Sequence, residues 1–227
     1  MSIDPLSDAK IVDSWGSNAA PWTVAVREQQ IESRRLVTDR AIIEATLSCA
    51  PRSVLDIGCG EGWLARALAA AGIEVIGIDA IPALIDRARQ AGGGDFRVMS
   101  YEDVAAGKFN KSVDAVVCNF ALLGNESVSG LFGAVRSLLN PRGSLLIQTL
   151  HPLVACGDAP YEDGWRASSW AGFNTDFSDP APWYFRTLES WIRLFAEHGL
   201  RLLELREPLH PQTQKPASVI FIAQATD

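Results

Sequence analysis

A doubly wound α/β fold with a mostly parallel sheet is predicted by three features of this 227-residue chain. Short apolar runs alternate with segments of helical spacing. A glycine-rich turn, Gly58-Cys59-Gly60-Glu61-Gly62, follows the first of these runs, Val54–Ile57. The second run, Ile73–Ile78, ends on Asp79. Strand, tight turn, helix, strand is one βαβ unit with its ligand loop after the first strand. The length suits one such domain, with residues 51–227 as its body and 1–50 as an N-terminal arm and helix.

Residues 1 to 30 lack a clear period and read as an arm. Within it, turn-forming residues join Trp15 to Trp22, and two tryptophans are costly to leave in water. A helical pattern runs from Val26 to Leu47, with Ile31, Leu36, Ala41, Ile42 and Ala45 on apolar faces and Arg27, Arg34 and Arg35 opposite. Those arginines suit a solvated face or a carboxylate partner. Ala50-Pro51-Arg52 ends the segment. The helix after the glycine turn covers Trp63 to Ala71. A third begins at Pro82, runs to Gln90 and is closed by Gly92-Gly93-Gly94. Phe96–Met99 is the third strand and Asp114–Asn119 the fourth, where Cys118 reads as a buried, inert thiol. A helix from Ser127 to Leu139 and a turn at Asn140–Gly143 lead into the fifth strand, Ser144–Leu150. A further helix spans Arg186 to Gly199. Leu200–Leu205 and Ala217–Ala223 complete seven strands, the last running antiparallel.

The loop charges separate two ligand classes. A dinucleotide favours G-x-G-x-x-G spacing and no carboxylate near its pyrophosphate. Here the spacing is G-x-G-x-G, with Glu61 inside the loop and Asp56 just before it. Two carboxylates suit a ligand with an ammonium and a sulfonium, while the glycines let the backbone approach closely. An NAD-binding oxidoreductase is the competing reading, and a binding module without turnover the third.

Val54–Gly62, Gly77–Asp79 and Asp114–Asn119 resemble motifs of the class I S-adenosylmethionine (SAM)-dependent methyltransferases, in particular their small-molecule branch. The resemblance covers roughly residues 35 to 225. It implies a Rossmann-like seven-stranded sheet with helices on both faces, and SAM as the cofactor. The cofactor residues it points to are Asp56, Gly58, Cys59, Gly60, Asp79, Ala80, Tyr101, Glu102, Asn119 and Phe120. Among these, Asp79 takes the ribose hydroxyls and Tyr101 flanks the adenine. Ser100 stands where the family commonly has an aspartate, and Glu102-Asp103 also suits a helix N-terminus. Asn119-Phe120-Ala121-Leu122 lacks the prolines of the amide-methylating enzymes, which favours a small-molecule acceptor. The N-terminal arm corresponds to segments that cap the cofactor cleft, although packing on the outside of the sheet or on a partner fits it equally.

His151 to Arg186 shows no sustained period. It carries eight of the nineteen aromatic residues (seven Trp, three Tyr, nine Phe in the chain), at the sheet's functional edge. This reads as a lid or pocket wall for an aromatic or apolar acceptor, with Tyr161, Trp165, Tyr184 and Arg186 as substrate-binding candidates. A subunit interface is the alternative. Methyl transfer needs alignment, exclusion of water and, for an oxygen acceptor, removal of a proton. His151 at the end of the fifth strand is the candidate general base, against a plain strand-end role. Oxygen is slightly preferred to nitrogen as the acceptor atom.

A formal charge of −7 and a pI near 5.0 argue against a general nucleic-acid binder. The four cysteines and three histidines show no metal-ligand spacing, so no metal is expected. No signal-like start or long apolar run is present, and the expectation is a cytoplasmic, membrane-free monomer or homodimer.

Overall fold

The computed structural model describes residues 3–173 and 176–226. Seven strands form the main sheet: β1 (Ser53–Ile57), β2 (Glu74–Asp79), β3 (Asp95–Val98), β4 (Val113–Asn119), β5 (Leu139–Thr149), β8 (Leu200–Arg206) and β9 (Val219–Ala225). Their order is β3-β2-β1-β4-β5-β9-β8. Only β9 runs against its neighbours, antiparallel to both β5 and β8, so the other six strands point the same way. This is the predicted mostly parallel sheet with its last strand reversed.

Alternation along the strands gives the sheet two buried faces. Leu55, Ile57, Val116, Cys118, Leu145 and Ile147 pack with Phe132 of α6 (Glu126–Leu138) and with Trp191 and Phe195 of α8 (Leu188–Glu197). Val54, Val75, Ala115, Val117 and Leu146 pack with Ile42 and Ala45 of α2 (Asp39–Ser48), Leu64 and Leu68 of α3 (Trp63–Ala70), and Ile85 of α4 (Pro82–Ala91). Asp56, Asn119 and Gln148 have the parity of the second set, so they extend its face at the carboxyl ends of β1, β4 and β5. A short α5 (Tyr101–Ala105) follows β3, started by a capping box between Ser100 and Asp103.

The N-terminus departs from expectation. Asp8–Arg27 is a 20-residue helix, α1, capped by the Ser7 side chain and containing Pro21. Its buried positions are Ser14, Asn18, Ala19, Thr23 and Ala25, small and polar enough to hide the period. The expected helix from Val26 to Leu47 is broken. A loop after Arg27 leads to a five-residue π-helical turn, Arg34–Thr38, which runs on into α2. Asn140–Gly143, expected as a turn, lies within β5 as an irregular entry with Arg142 at positive φ.

The 151–186 segment forms a one-turn helix, α7 (Pro152–Ala155), and a two-stranded ribbon of β6 (Gly164–Arg166) and β7 (Trp183–Phe185). Strands of three residues are too short for a sequence period to register.

Candidate active site

The glycine turn is held by the strand beside it. Gly58 N and Cys59 N donate to Ile78 O at 2.8 and 3.0 Å. Gly60 N donates to an Asp79 carboxylate oxygen at 2.9 Å, and Ile81 N to the other at 2.9 Å. Gly58, Gly60 and Gly62 all take positive φ, and a Cβ on Gly58 would collide with the Ala121 methyl. Only glycine serves there. Cys59 is buried against Gly77, and burial pushes its thiol pKa up.

Asp56 is the most strained electrostatic group of the turn. It is 1% exposed, and its Oδ2 has no hydrogen-bond partner. Burial, then the nearby Asp79 charge, raises its pKa to about 7. Burial also raises Asp79, opposed by the two backbone N–H groups it accepts. Glu61 behaves differently from the expectation built on it. Its carboxylate is buried, taking both oxygens to Arg66 (2.7 and 2.8 Å) and one to Arg27 Nε (2.8 Å). Two cations neutralise it inside the fold, so the charge that faces a ligand comes from Asp56 and Asp79.

Above the second face lies the π turn, a feature that often marks function. Gln148 is fully buried and its Nε2 donates to Thr38 O (3.0 Å) and Asn119 Oδ1 (2.8 Å), pinning the turn to β4 and β5. Arg34, one turn earlier, is 9% exposed. Its guanidinium lies 4.6 Å from the Trp63 ring centre and 5.7 Å from that of Trp22, and its Nε donates to Asp39. Arg34 Nη2 is buried without a partner, as is Thr38 Oγ1. A buried guanidinium N–H without an acceptor is costly, so it marks a place for an anion. An open cleft of about 400 Å³ on this side is lined by Arg34 together with Gln29, Arg35, Arg40 and Glu44.

Helix α1 crosses this whole edge. At its start Asp8 accepts from Asn125 N and Ser127 N (2.8 and 3.0 Å), at the beginning of α6. At its end Arg27 reaches Glu61 and the Arg87 carbonyl in α4. Between them, Trp22 Nε1 lies 3.7 Å from where a Gly60 Cβ would sit. Ser14 and Asn18 bond the backbone at Ser178 and Asp179, Lys10 pairs with Asp179, and Trp15 packs edge-on against Trp170. The helix thus ties the aromatic insertion to the glycine turn.

The other predicted residues divide. Tyr101 sits against the turn, its hydroxyl donating to Ala121 O at 2.9 Å. Phe120 takes a positive φ of 52°, rare for an aromatic residue, with its N–H on Gln148 O. Asn119 and Ala80 lie half-buried at the same edge, while Glu102 is exposed on α5. A small cavity is lined by Leu122, Leu123, Leu150, Pro152, Trp183 and Tyr184, among others. Trp165 stacks edge-on against Tyr184 at 5.6 Å, behind that wall.

Arg186 and Tyr161 do not present free groups as expected. Arg186 gives its terminal nitrogens to Gly124 O (2.7 Å) and to the backbone and side-chain oxygens of Asn125. Burial lowers its pKa, and Tyr184 and Trp191 stack on its faces. The Tyr161 hydroxyl accepts the Leu188 N–H at the start of α8. His151 is buried, its Nε2 2.7 Å from Glu207 Oε1 and its Nδ1 without a partner. Among the described residues no group of three metal-binding side chains occurs, and no helix is long and apolar enough to cross a membrane.

Residues 30–205 match the methyltransferase domain family. The chain belongs to that family. This methyltransferase domain is 38% identical over 114 residues to the ubiquinone biosynthesis O-methyltransferase of Xanthomonas oryzae pv. oryzae (strain PXO99A), covering 48% of this chain and 47% of that protein. The same-named protein of Xanthomonas campestris pv. campestris (strain B100) is 40% identical over 103 residues, 43% of each. The chain therefore spans about half the length of the curated relatives it matches. In fold, the domain is similar to the 1,6-didemethyltoxoflavin-N1-methyltransferase of Burkholderia thailandensis, solved with bound 1,6-didemethyltoxoflavin and S-adenosylhomocysteine. There the TM-score is 0.67 at 16% identity, over 96% of this chain and 88% of that one. An S-adenosylmethionine dependent methyltransferase from Mesorhizobium loti gives 0.60 at 21% identity, over 79% and 95%. These likenesses bear on the fold alone.

Arg34 enters the sequence reading only as one of three arginines suited to a carboxylate, and Thr38 not at all. The only signal was an arginine in the basic cluster before α2, and nothing in its spacing separated it from Arg27 or Arg35.

Proposed function

We propose that this methyltransferase domain binds SAM and transfers its methyl group to an oxygen of a small aromatic or apolar acceptor. The observation that carries the reading is a pair of unsatisfied buried groups beside one glycine turn: an acceptor, Asp56 Oδ2, and a donor, Arg34 Nη2. Both sit on the sheet face that the π turn covers. They match the ammonium and carboxylate of an amino-acid end. Asp79 keeps lone pairs for ribose hydroxyls beyond the two backbone bonds it accepts, and Tyr101, Asn119 and Phe120 complete the adenosine side. The loop therefore fits the cofactor. A dinucleotide would set its pyrophosphate beside Asp56 and Asp79, which disfavours the NAD reading.

Bound SAM supplies a methyl group already activated on a sulfonium. The chain aligns the acceptor, excludes water and takes up a proton. Helix α1 and the N-terminal 50 residues serve as the cap, and the 151–186 insertion as the acceptor wall. The buried cation of that wall, Arg186, is committed to oxygens of Gly124 and Asn125, which supports a neutral acceptor. His151 is the base. Oxygen as the acceptor atom is supported by the matching O-methyltransferases, and a role independent of nucleic acid by the acidic charge.

Calorimetric titration with SAM, S-adenosylhomocysteine and NADH in parallel tests this. Binding of the first two alone is expected. Binding of NADH alone overturns the cofactor and the reaction with it.

A further inference from the structure

We propose that Glu207 is a positioning residue for the methyl transfer: it fixes the His151 ring so that Nδ1 meets the acceptor as a bare nitrogen. This rests on the reading of His151 as the base. The two residues lie far apart in sequence, and the sheet brings them together. His151 leaves β5 and Glu207 leaves β8 at the same edge, because β9 runs antiparallel between those strands.

A carboxylate accepts and cannot donate, so the 2.7 Å contact puts the ring hydrogen on Nε2. Nδ1 then carries a lone pair, and it is buried with no partner. An inert structural histidine would satisfy both nitrogens. The residues on either side of His151, Leu150 and Pro152, are among those lining a small cavity of about 10 Å³ beneath the insertion, while His151 itself lies behind that lining. An acceptor hydroxyl admitted beside Nδ1 would complete the ring's hydrogen bonding. In the reaction, the hydroxyl proton goes to Nδ1 as that oxygen takes the methyl carbon. The sulfur keeps the electron pair of the broken bond. The imidazolium formed has Glu207 as its counter-charge through Nε2–H, with half of the Glu207 side chain still open to solvent.

Nitrogen-15 NMR of the full chain, labelled at its three histidines, reads the tautomer directly, with His151→Gln assigning the signal. Wild-type His151 is expected to carry its proton on Nε2 alone, and Glu207→Ala to mix the two tautomers. Glu207→Gln can still accept the Nε2 hydrogen through its amide oxygen, which the same spectrum checks, but it removes the counter-charge. With catechol as the probe acceptor, it is expected to lower kcat about tenfold at unchanged KM for SAM, and Glu207→Asp to recover most of it. A proton on Nδ1 in the wild type overturns the proposal, whatever acceptor the enzyme uses. So does full kcat in Glu207→Gln with only the melting temperature lowered. Failure of SAM to bind would instead break the cofactor reading and leave the tautomer result standing.

Discussion

The two ends of the functional edge satisfy their polar groups in opposite ways. Around the glycine turn, Asp56 Oδ2, Arg34 Nη2 and Thr38 Oγ1 are buried and unpaired. Around the aromatic insertion, the polar groups are occupied by the protein itself: Arg186 by carbonyls, Tyr161 by an N–H, Trp170 Nε1 by Ser178 O. Unpaired buried groups cost stability, about 1–3 kcal/mol each, and persist where a ligand repays it. On the proposed reading, the glycine-turn end recognises a charged cofactor and the insertion end the shape of the acceptor. His151 is the exception at the second end, with one nitrogen paired and one bare.

Asp56 gives the largest way to break this contrast. Its carboxyl sits at 3.8 when ordinary and at about 7 in the fold. Between those values the folded chain holds a proton that the unfolded chain releases, so stability falls as pH rises through the window, and the loss is complete above about pH 7. Asp56→Asn removes that penalty. At pH 8 the variant is expected to be more stable than wild type by about 2–4 kcal/mol, with no such gain at pH 4. It should also bind S-adenosylhomocysteine at least about tenfold more weakly, a stability–function trade-off. Urea unfolding at the two pH values and calorimetry check both halves. Equal stability at pH 8 would return Asp56 to a solvated, ordinary carboxylate.

Arg34 sharpens the same end. Arg34→Met keeps an apolar stem between Trp22 and Trp63 and removes the donors. Its S-adenosylhomocysteine affinity is expected to fall about 10- to 100-fold, the range of a charge-assisted bond. Affinity for 5′-methylthioadenosine, which has no carboxylate, should change little. Equal losses for both ligands would mean that Arg34 merely supports the packing of α1.

How much of this was legible follows from how each signal is encoded. The β1–turn–β2 unit was readable because three glycines at positive φ and an acidic strand end are local requirements of the backbone. The central strands were readable because both of their faces are buried and their apolar runs are nearly unbroken, while the edge strands β3 and β8 carry charges and show less. Helix α1 was not, since its buried face is Ser, Asn, Ala and Thr and its Gly16, Asn18 and Pro21 imitate a turn. Its stability comes from partners distant in sequence, at Ser178, Asp179 and Asn125. Glu61 misled for a related reason. A carboxylate in a ligand loop looks available until two arginines, one of them thirty-four positions earlier, are found holding it.

Tyr161 provides the smallest test, and it probes the insertion end by a single atom. As a sequence it is one more aromatic in the proposed acceptor wall; in the fold the residue is 42% exposed and its hydroxyl accepts from Leu188 N. That N–H belongs to the first turn of α8, where backbone donors have no partner within the helix. Thr187 already caps the Ser190 N–H there, so Tyr161 satisfies a second donor of the same turn. Tyr161→Phe keeps the edge-on contact with Phe185 at 5.7 Å and deletes only the acceptor. It is expected to cost about 0.5–1.5 kcal/mol in urea unfolding, the net worth of one such bond, with kcat and KM for the acceptor unchanged. A raised acceptor KM at unchanged stability would move the hydroxyl from helix end to substrate, and the contrast between the two ends would then fail at Tyr161 first.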